Sequence, residues 1–299
     1  ASDVYKRQGQ GSGGIETRPG DSQNETGDTA NSSGIGDFTA SLPEKQRTYN
    51  WSELTSYDAL VREFYAIDPA TAADETQLNQ KALLGRVLSV QKRTDDQPQI
   101  LIYHTHSQEA FADSIPGNAQ TGIMGVGEVL AEILRKQYGY NVMHHMGQYD
   151  VGDRDHAYAN AEGPIEQLLA ENPSIEVVID LHRDAVDKHM VREVNGVQMA
   201  PIMFFNGLSR TKALGDISYL NNPNLTGNLA FSLQMQIAAA EYYPNLTRPI
   251  YLKGYRYNMH FKEKYLLIEM GSYTNTQEEA RNAMVPLADL LNRVLHGEN

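Results

Sequence analysis

The stretch "NPSIEVVIDLHRDAV", residues 172 to 186, constrains the fold of this chain more than any other. Its strand "IEVVIDLH" stays apolar on both faces until Asp180, and a helical pattern carrying Ile165, Leu168 and Leu169 precedes it. A strand apolar on both faces needs cover on both faces, which is typical of a parallel strand between two layers of helix. The pattern repeats. "ILIY", "APIMFFNG", "PIYLKG" and "YLLIEMGS" are further short apolar runs, and helical segments alternate with strands from Pro98 onward. The expected fold is therefore α/β, with a mostly parallel central sheet flanked by helices on both faces.

Helical spacing of Leu54, Tyr57, Leu60, Val61, Phe64 and Tyr65 predicts a helix over Ser52 to Ala66, with a shorter one over Glu75 to Leu84. Val126, Val129, Leu130, Ile133 and Leu134 form one stripe of a helix ending near Gly139, and Tyr140 to Met143 reads as strand. Pro164 marks the expected start of the next helix. "TGNLAFSLQMQIAAAEYY" reads as helix; in the last segment Thr276 and Glu279 have capping-box spacing and Pro286 should introduce a bend.

The first forty residues are rich in Gly, Ser, Thr, Asn and Asp and carry few large apolar side chains, so burial cannot offset the entropy of ordering them. The domain expectation is a disordered linker over 1–45, a helical extension over 46–97 packing on the body, and a catalytic domain over 98–299. The sequence has no initiator Met, and no apolar stretch of about 18 residues marks a membrane span. Its 25 basic and 38 acidic residues give a net charge of −13, which opposes binding to nucleic acid or an anionic membrane. With no cysteine, any metal must sit on His, Asp or Glu.

Ligands of open α/β sheets collect at the carboxyl ends of strands. Three such ends carry polar groups here: His104, His106 and Glu109 after the first strand, His182 to Asp184 after "VVIDL", and Glu269 after "YLLI". Two imidazoles and a carboxylate form a catalytic zinc set that leaves a place for water, with a further carboxylate as general base. His104 and His106, two apart, point the same way in an extended chain, so both can reach a metal, or one is a ligand and its neighbour orients it. The H-x-x-E spacing favours His106 with Glu109; Glu128 is the rival carboxylate. Each group also has an ordinary structural role open to it. Glu269 can cap a helix or pair with Lys264 or Arg281, and "HRD" can be a surface ion pair. There is no phosphate loop, no G-x-S-x-G elbow and no H-E-x-x-H helix.

"ILIYHTHSQEAF", "NPSIEVVIDLHRDAV", "IMFFNGLSRT", "NLAFSLQMQIAAAEYYPNLTRPIYLKGYRYNMHF" and "LLIEMGSYTNTQEEARNAMVPLADLL" closely resemble the stage II sporulation protein P family, over roughly Ser56 to Leu295. The resemblance implies a peptidoglycan hydrolase of endospore-forming Gram-positive bacteria, related to zinc-dependent N-acetylmuramoyl-L-alanine amidases and acting in septal wall removal during engulfment. It also implies cleavage of stem-peptide cross-links, stimulation by a stage II sporulation protein D lytic transglycosylase, and tethering at the cell membrane by an anchor upstream of residue 1. On this reading zinc is held by His106, Glu109 and His182, Glu269 is the base, and Arg183 and Arg256 stabilise the oxyanion or hold a substrate carboxylate. The alternatives are a zinc carboxypeptidase-like enzyme acting on free peptides and a non-catalytic wall-binding module.

Overall fold

A computed structural model describes residues 43–297; the linker expected over 1–45 lies, except for its last three residues, outside them. Eleven strands, named β1 to β11, were assigned among the described residues: Tyr65–Ile67, Ile100–Tyr103, Val142–His144, Val177–Asp184, Arg192–Val194, Val197–Met199, Ile202–Gly207, Arg210–Thr211, Gly215–Asp216, Ile250–Lys253 and Lys264–Ser272. The helices are α1 (Tyr57–Phe64), α2 (Gln80–Leu84), α3 (Ile123–Lys136), α4 (Ala157–Glu171), α5 (Leu225–Tyr242), α6 (Gln277–Asn282) and α7 (Met284–His296).

Seven strands form one sheet in the order β1-β10-β7-β11-β4-β2-β3. Five of its six pairings are parallel, and the exception is β11 against β7. The sheet therefore consists of a four-strand parallel block and a three-strand parallel block running in opposite directions. The expected α/β fold with a mostly parallel sheet is present, and the reversal is the feature that apolar runs alone did not announce.

Alternation along each strand sorts the core into two layers. Ile100, Ile102, Ile179, Leu181, Leu266 and Ile268 face one side, against α3, α5 and α7. Leu101, Tyr103, Val178, Tyr265 and Leu267 face the other, where Tyr158, Ala161, Ile165 and Leu169 of α4 cover them. Three long helices thus pack on one face and one on the other.

Local departures from expectation have physical reasons. The first predicted helix ends at Phe64, and Tyr65–Ile67 pairs with β10 as an edge strand, which gives partners to backbone groups of β10 that a continued helix would leave unpaired. α4 starts seven residues before Pro164 and contains it, since Tyr158 and Ala161 extend the apolar stripe of Ile165 and Leu169 and their burial outweighs one missing hydrogen bond. The last segment does not bend at Pro286 but breaks at Ala283, which places Pro286 in the first turn of α7, where its missing N–H has no intrahelical partner to lose. The Thr276–Glu279 capping box is formed in both directions.

Two substitutions should separate cap from core. Thr276→Ala is expected to lower stability by about 1 kcal/mol. Phe231→Ala, at a fully buried position on α5, should lower it by about 3–5 kcal/mol. Urea unfolding of both variants measures the difference.

Candidate functional site

The site is built where β2, β4 and β11 end side by side. Glu269 of β11 lies in register with His182 of β4, and Tyr103 of β2 with Asp180. By alternation Asp180, His182 and Glu269 all project on the α4 side of the sheet. After Tyr103 the chain leaves the strand in a turn, and this separates the two histidines. His104 goes to the opposite side, beneath α3, where its Nδ1 lies 2.7 Å from the Leu181 carbonyl and its Nε2 2.9 Å from Nε2 of His144. His106 stays on the α4 side. The extended geometry that would have aimed both rings the same way does not exist here.

Asp180, fully buried, fixes this turn. It accepts from the Thr105 amide at 2.9 Å and the Thr105 hydroxyl at 2.7 Å, and its Oδ1 stands 2.8 Å from His182 Nε2, at ion-pair distance although off the direction of a hydrogen bond. Asp150 fixes the other half: it accepts from Ser107 Oγ and the Gln108 amide, and its Oδ2 lies 3.8 Å from His106 Nδ1. Each imidazole therefore has a buried carboxylate behind one ring nitrogen. His182 presents its other nitrogen, Nδ1, to Glu109 Oε2 at 3.6 Å. The ring of Tyr158 stacks on His182 and meets His106 edge-on.

Glu109 is nearly fully buried and receives the Arg183 amide at 2.8 Å and the Arg154 guanidinium at 2.9 Å. Burial works to raise its carboxyl, but the neighbouring His182, His106 and Arg183 outweigh it and hold the group below the usual range. At Glu269 burial wins over His182 and is reinforced by Glu109, which pushes the carboxyl up to about 8. Burial opposes a charge on His182 as well, yet Asp180 and Glu109 hold the ring well above its ordinary value.

His106, Glu109, His182, Arg183 and Glu269 all line one cleft of about 210 Å³. Arg256 is not among its lining residues: its guanidinium pairs with Glu162 and reaches the Asn221 carbonyl at 3.4 Å. Glu128 is also elsewhere, bound to His144 Nδ1 at 2.6 Å and Arg135 at 2.9 Å. The cleft contains groups that sequence reasoning passed over, namely Arg154, Tyr158 and Lys253. Arg154 and Tyr158 come from the segment that opens α4, and only the contacts with Glu109 and the histidines reveal them.

The donor set suits a metal in kind, two carboxylate-backed imidazoles beside a carboxylate. Glu269 Oε2 is buried without a hydrogen-bond partner, while the buried nitrogens that lack one, His106 Nδ1 and His182 Nε2, are those facing Asp150 and Asp180. The three donors do not all approach within 4.8 Å of one another; among the described residues the group that does is Glu162, Glu166 and His260, in which Glu162 is already held by Arg256.

A family model described as Stage II sporulation protein P (SpoIIP) matches residues 21–292. The chain belongs to the stage II sporulation protein P family. Stage II sporulation protein P of Bacillus subtilis (strain 168) is 23% identical over 220 residues, which are 67% of this chain and 52% of that one, so the chain spans about half the length of the relative. Solved structures similar to this family member include the CwlD amidase from Clostridioides difficile in complex with the GerS lipoprotein (10% identical, 66% of this chain and 98% of that chain, TM-score 0.40). Another is the N-acetylmuramoyl-L-alanine amidase from Clostridium difficile 630 (13% identical, 69% and 99%, TM-score 0.39). Likeness at this level carries no residue roles across. No helix among the described residues is long and apolar enough to cross a membrane.

Asp180→Ala would strip the His182 ring and the Thr105 turn of their shared buried partner, and a loss of about 3–5 kcal/mol is expected from breaking a buried charged pair on one side. Asp155→Ala, at an exposed position lining the same cleft, should stay within about 0.5 kcal/mol. Urea midpoints of the two variants provide the check.

Proposed function

We propose that this protein is a zinc-dependent peptidoglycan hydrolase that cuts the amide between N-acetylmuramic acid and L-alanine, and stem-peptide cross-links as well, in the septal wall during engulfment. The observation that supports it best is the convergence of His106, Glu109, His182 and Glu269 in one cleft, with Asp150 and Asp180 behind the two imidazoles, in a chain of this family. His106, Glu109 and His182 would hold the zinc. When bound, zinc supplies a Lewis acid for the amide carbonyl and lowers the pKa of its water toward about 7.

The chain's own residues do the rest. With a cation held beside it Glu269, whose carboxyl is pushed up to about 8, would ionise, and its oxygen free of protein partners would then take a proton from water and return it to the leaving amine. Carboxylates behind both imidazoles fix ring orientation and raise their basicity. Arg183 lines the cleft while its Nε holds the Ala110 carbonyl at 2.8 Å, a placement suited to the developing oxyanion or a substrate carboxylate. Arg256, bound to Glu162, steadies the wall outside the lining instead. Residues 98–299 form the catalytic body in this reading, with 46–97 packed on it. The protein works outside the cytoplasm at the septal membrane, with a stage II sporulation protein D-like lytic transglycosylase as partner.

Three variants test the roles. Glu109→Ala should purify with little zinc, while Glu128→Ala keeps it, and the reverse result would move the ligand assignment to Glu128. Glu269→Gln should retain zinc and bind substrate yet turn over about 10²- to 10⁴-fold more slowly. Metal analysis of each protein beside mass spectrometry of digested peptidoglycan, with and without chelator, gives both readouts. Near wild-type turnover by Glu269→Gln would remove it as the base.

A further inference from the structure

The cleft does not stop at the His and Glu cluster. Along β10, Ile250 and Leu252 face the large helical layer, while Tyr251 and Lys253 alternate to the α4 side, where Lys253 lines the same cleft as Glu269. Between the two ends lie Leu267, Phe205 and Tyr257, an apolar floor. Register places Lys253 opposite Gly207 and Glu269 opposite Met203 on the intervening strand β7. Four residues along and two strands across put the two positions roughly 16 Å apart, from standard rise and strand spacing.

The cleft's cations are not equivalent. Arg154 is committed to Glu109 and Asp150, and Arg183, anchored at the Ala110 carbonyl, belongs to the reacting end. Asp184, which also lines the cleft, is taken by Arg248 at 2.6 Å. Among the described residues Lys253 has no side-chain hydrogen bond or ion pair, although it is half-buried on a strand where an ammonium with its long stem gains from a counter-charge.

We propose that Lys253 is a substrate-recognition residue that holds a carboxylate of an extended acidic peptide, three to four residues from the bond cut at the Glu269 end. This rests on the hydrolase reading for the position of the cut, and on the cleft alone for the position of the carboxylate. An extended chain covers about 3.3–3.6 Å per residue. Three or four residues therefore span about 10–14 Å, and the lysine stem closes the remainder. Leu267, Phe205 and Tyr257 accept the apolar side of the peptide between the two ends, and the ammonium pairs with the carboxylate at the far one.

The test uses the purified full chain as wild type, Lys253→Met and Lys253→Arg, with an N-acetylmuramoyl tetrapeptide carrying free carboxylates and the same molecule with its carboxyls amidated. Equilibrium Kd is measured by calorimetry, and kcat and KM for release are measured in parallel. Lys253→Met should weaken binding of the free acid about ten- to a hundredfold and leave the amidated peptide unchanged. Lys253→Arg should restore most of the loss, and kcat should stay near wild type throughout. Equal weakening of both peptides, or of neither, overturns the proposal. If binding depends on Lys253 as stated but no amide is cut, the hydrolase reading fails and the carboxylate site stands; if cutting proceeds and Kd ignores Lys253, only the carboxylate site fails.

Discussion

Asp180 is the constraint on which the site depends. A fully buried carboxylate must find partners, and this one takes the Thr105 amide and hydroxyl from the turn after β2 and stands against His182 on its own strand. It also lies 3.4 Å from the Tyr265 hydroxyl, which in turn contacts the Tyr103 hydroxyl at 2.6 Å. One charge therefore joins β4 to β11 and to the turn that ends β2. Because Thr105 is fastened, its neighbours His104 and His106 are sent to opposite sides of the sheet, and only His106 shares a cleft with His182.

Electrostatics then divides the two carboxylates beside that histidine pair. Glu109 is deeply buried and Glu269 half-buried, and burial alone would raise both. Glu109 has a backbone amide and a guanidinium on its oxygens, and two imidazoles and Arg183 close by, which stabilise its charge. Glu269 has an oxygen without a protein partner and a carboxylate neighbour in Glu109, so its proton is held more tightly. Two carboxyl groups pushed in opposite directions within one cleft are suited to different tasks, one to hold a cation and the other to move a proton. This assignment needs no more than the immediate surroundings of each group.

Much of this was legible in the sequence because burial leaves a mark on composition. Apolar runs located six of the seven strands of the central sheet, all but the edge strand β1, and polar residues at the ends of three of them pointed to the cleft. What the pattern did not contain was direction. Alternation reports which face a side chain takes, not whether a strand runs up or down, so the reversal between β11 and β7 was invisible. The fate of Arg256 was invisible for a related reason: its partner Glu162 lies on α4, 94 residues away in sequence, and nothing local marks the pair. The extended geometry expected of His104 and His106 is absent because the turn that separates them is set by Asp180, 75 positions beyond Thr105.

The reversed block has a consequence for where a substrate can lie. Three long helices fill one face of the sheet, while α4 covers only part of the other, over β2, β4 and the near side of β11. Because β10 runs opposite to β11, the chain leaving β10 returns across that second face and forms a far wall. It passes so close to β7 that a Cβ on Gly207 would lie 2.1 Å from the Tyr255 carbonyl oxygen, which leaves glycine as the residue that admits it. The open strip between α4 and this wall is the cleft. Its cationic end at Lys253 and its His and Glu end at β4 and β11 belong to the two opposed blocks, so the reversal that apolar patterning concealed is what gives the cleft its length. A sheet with every strand parallel would have gathered these groups along one edge instead.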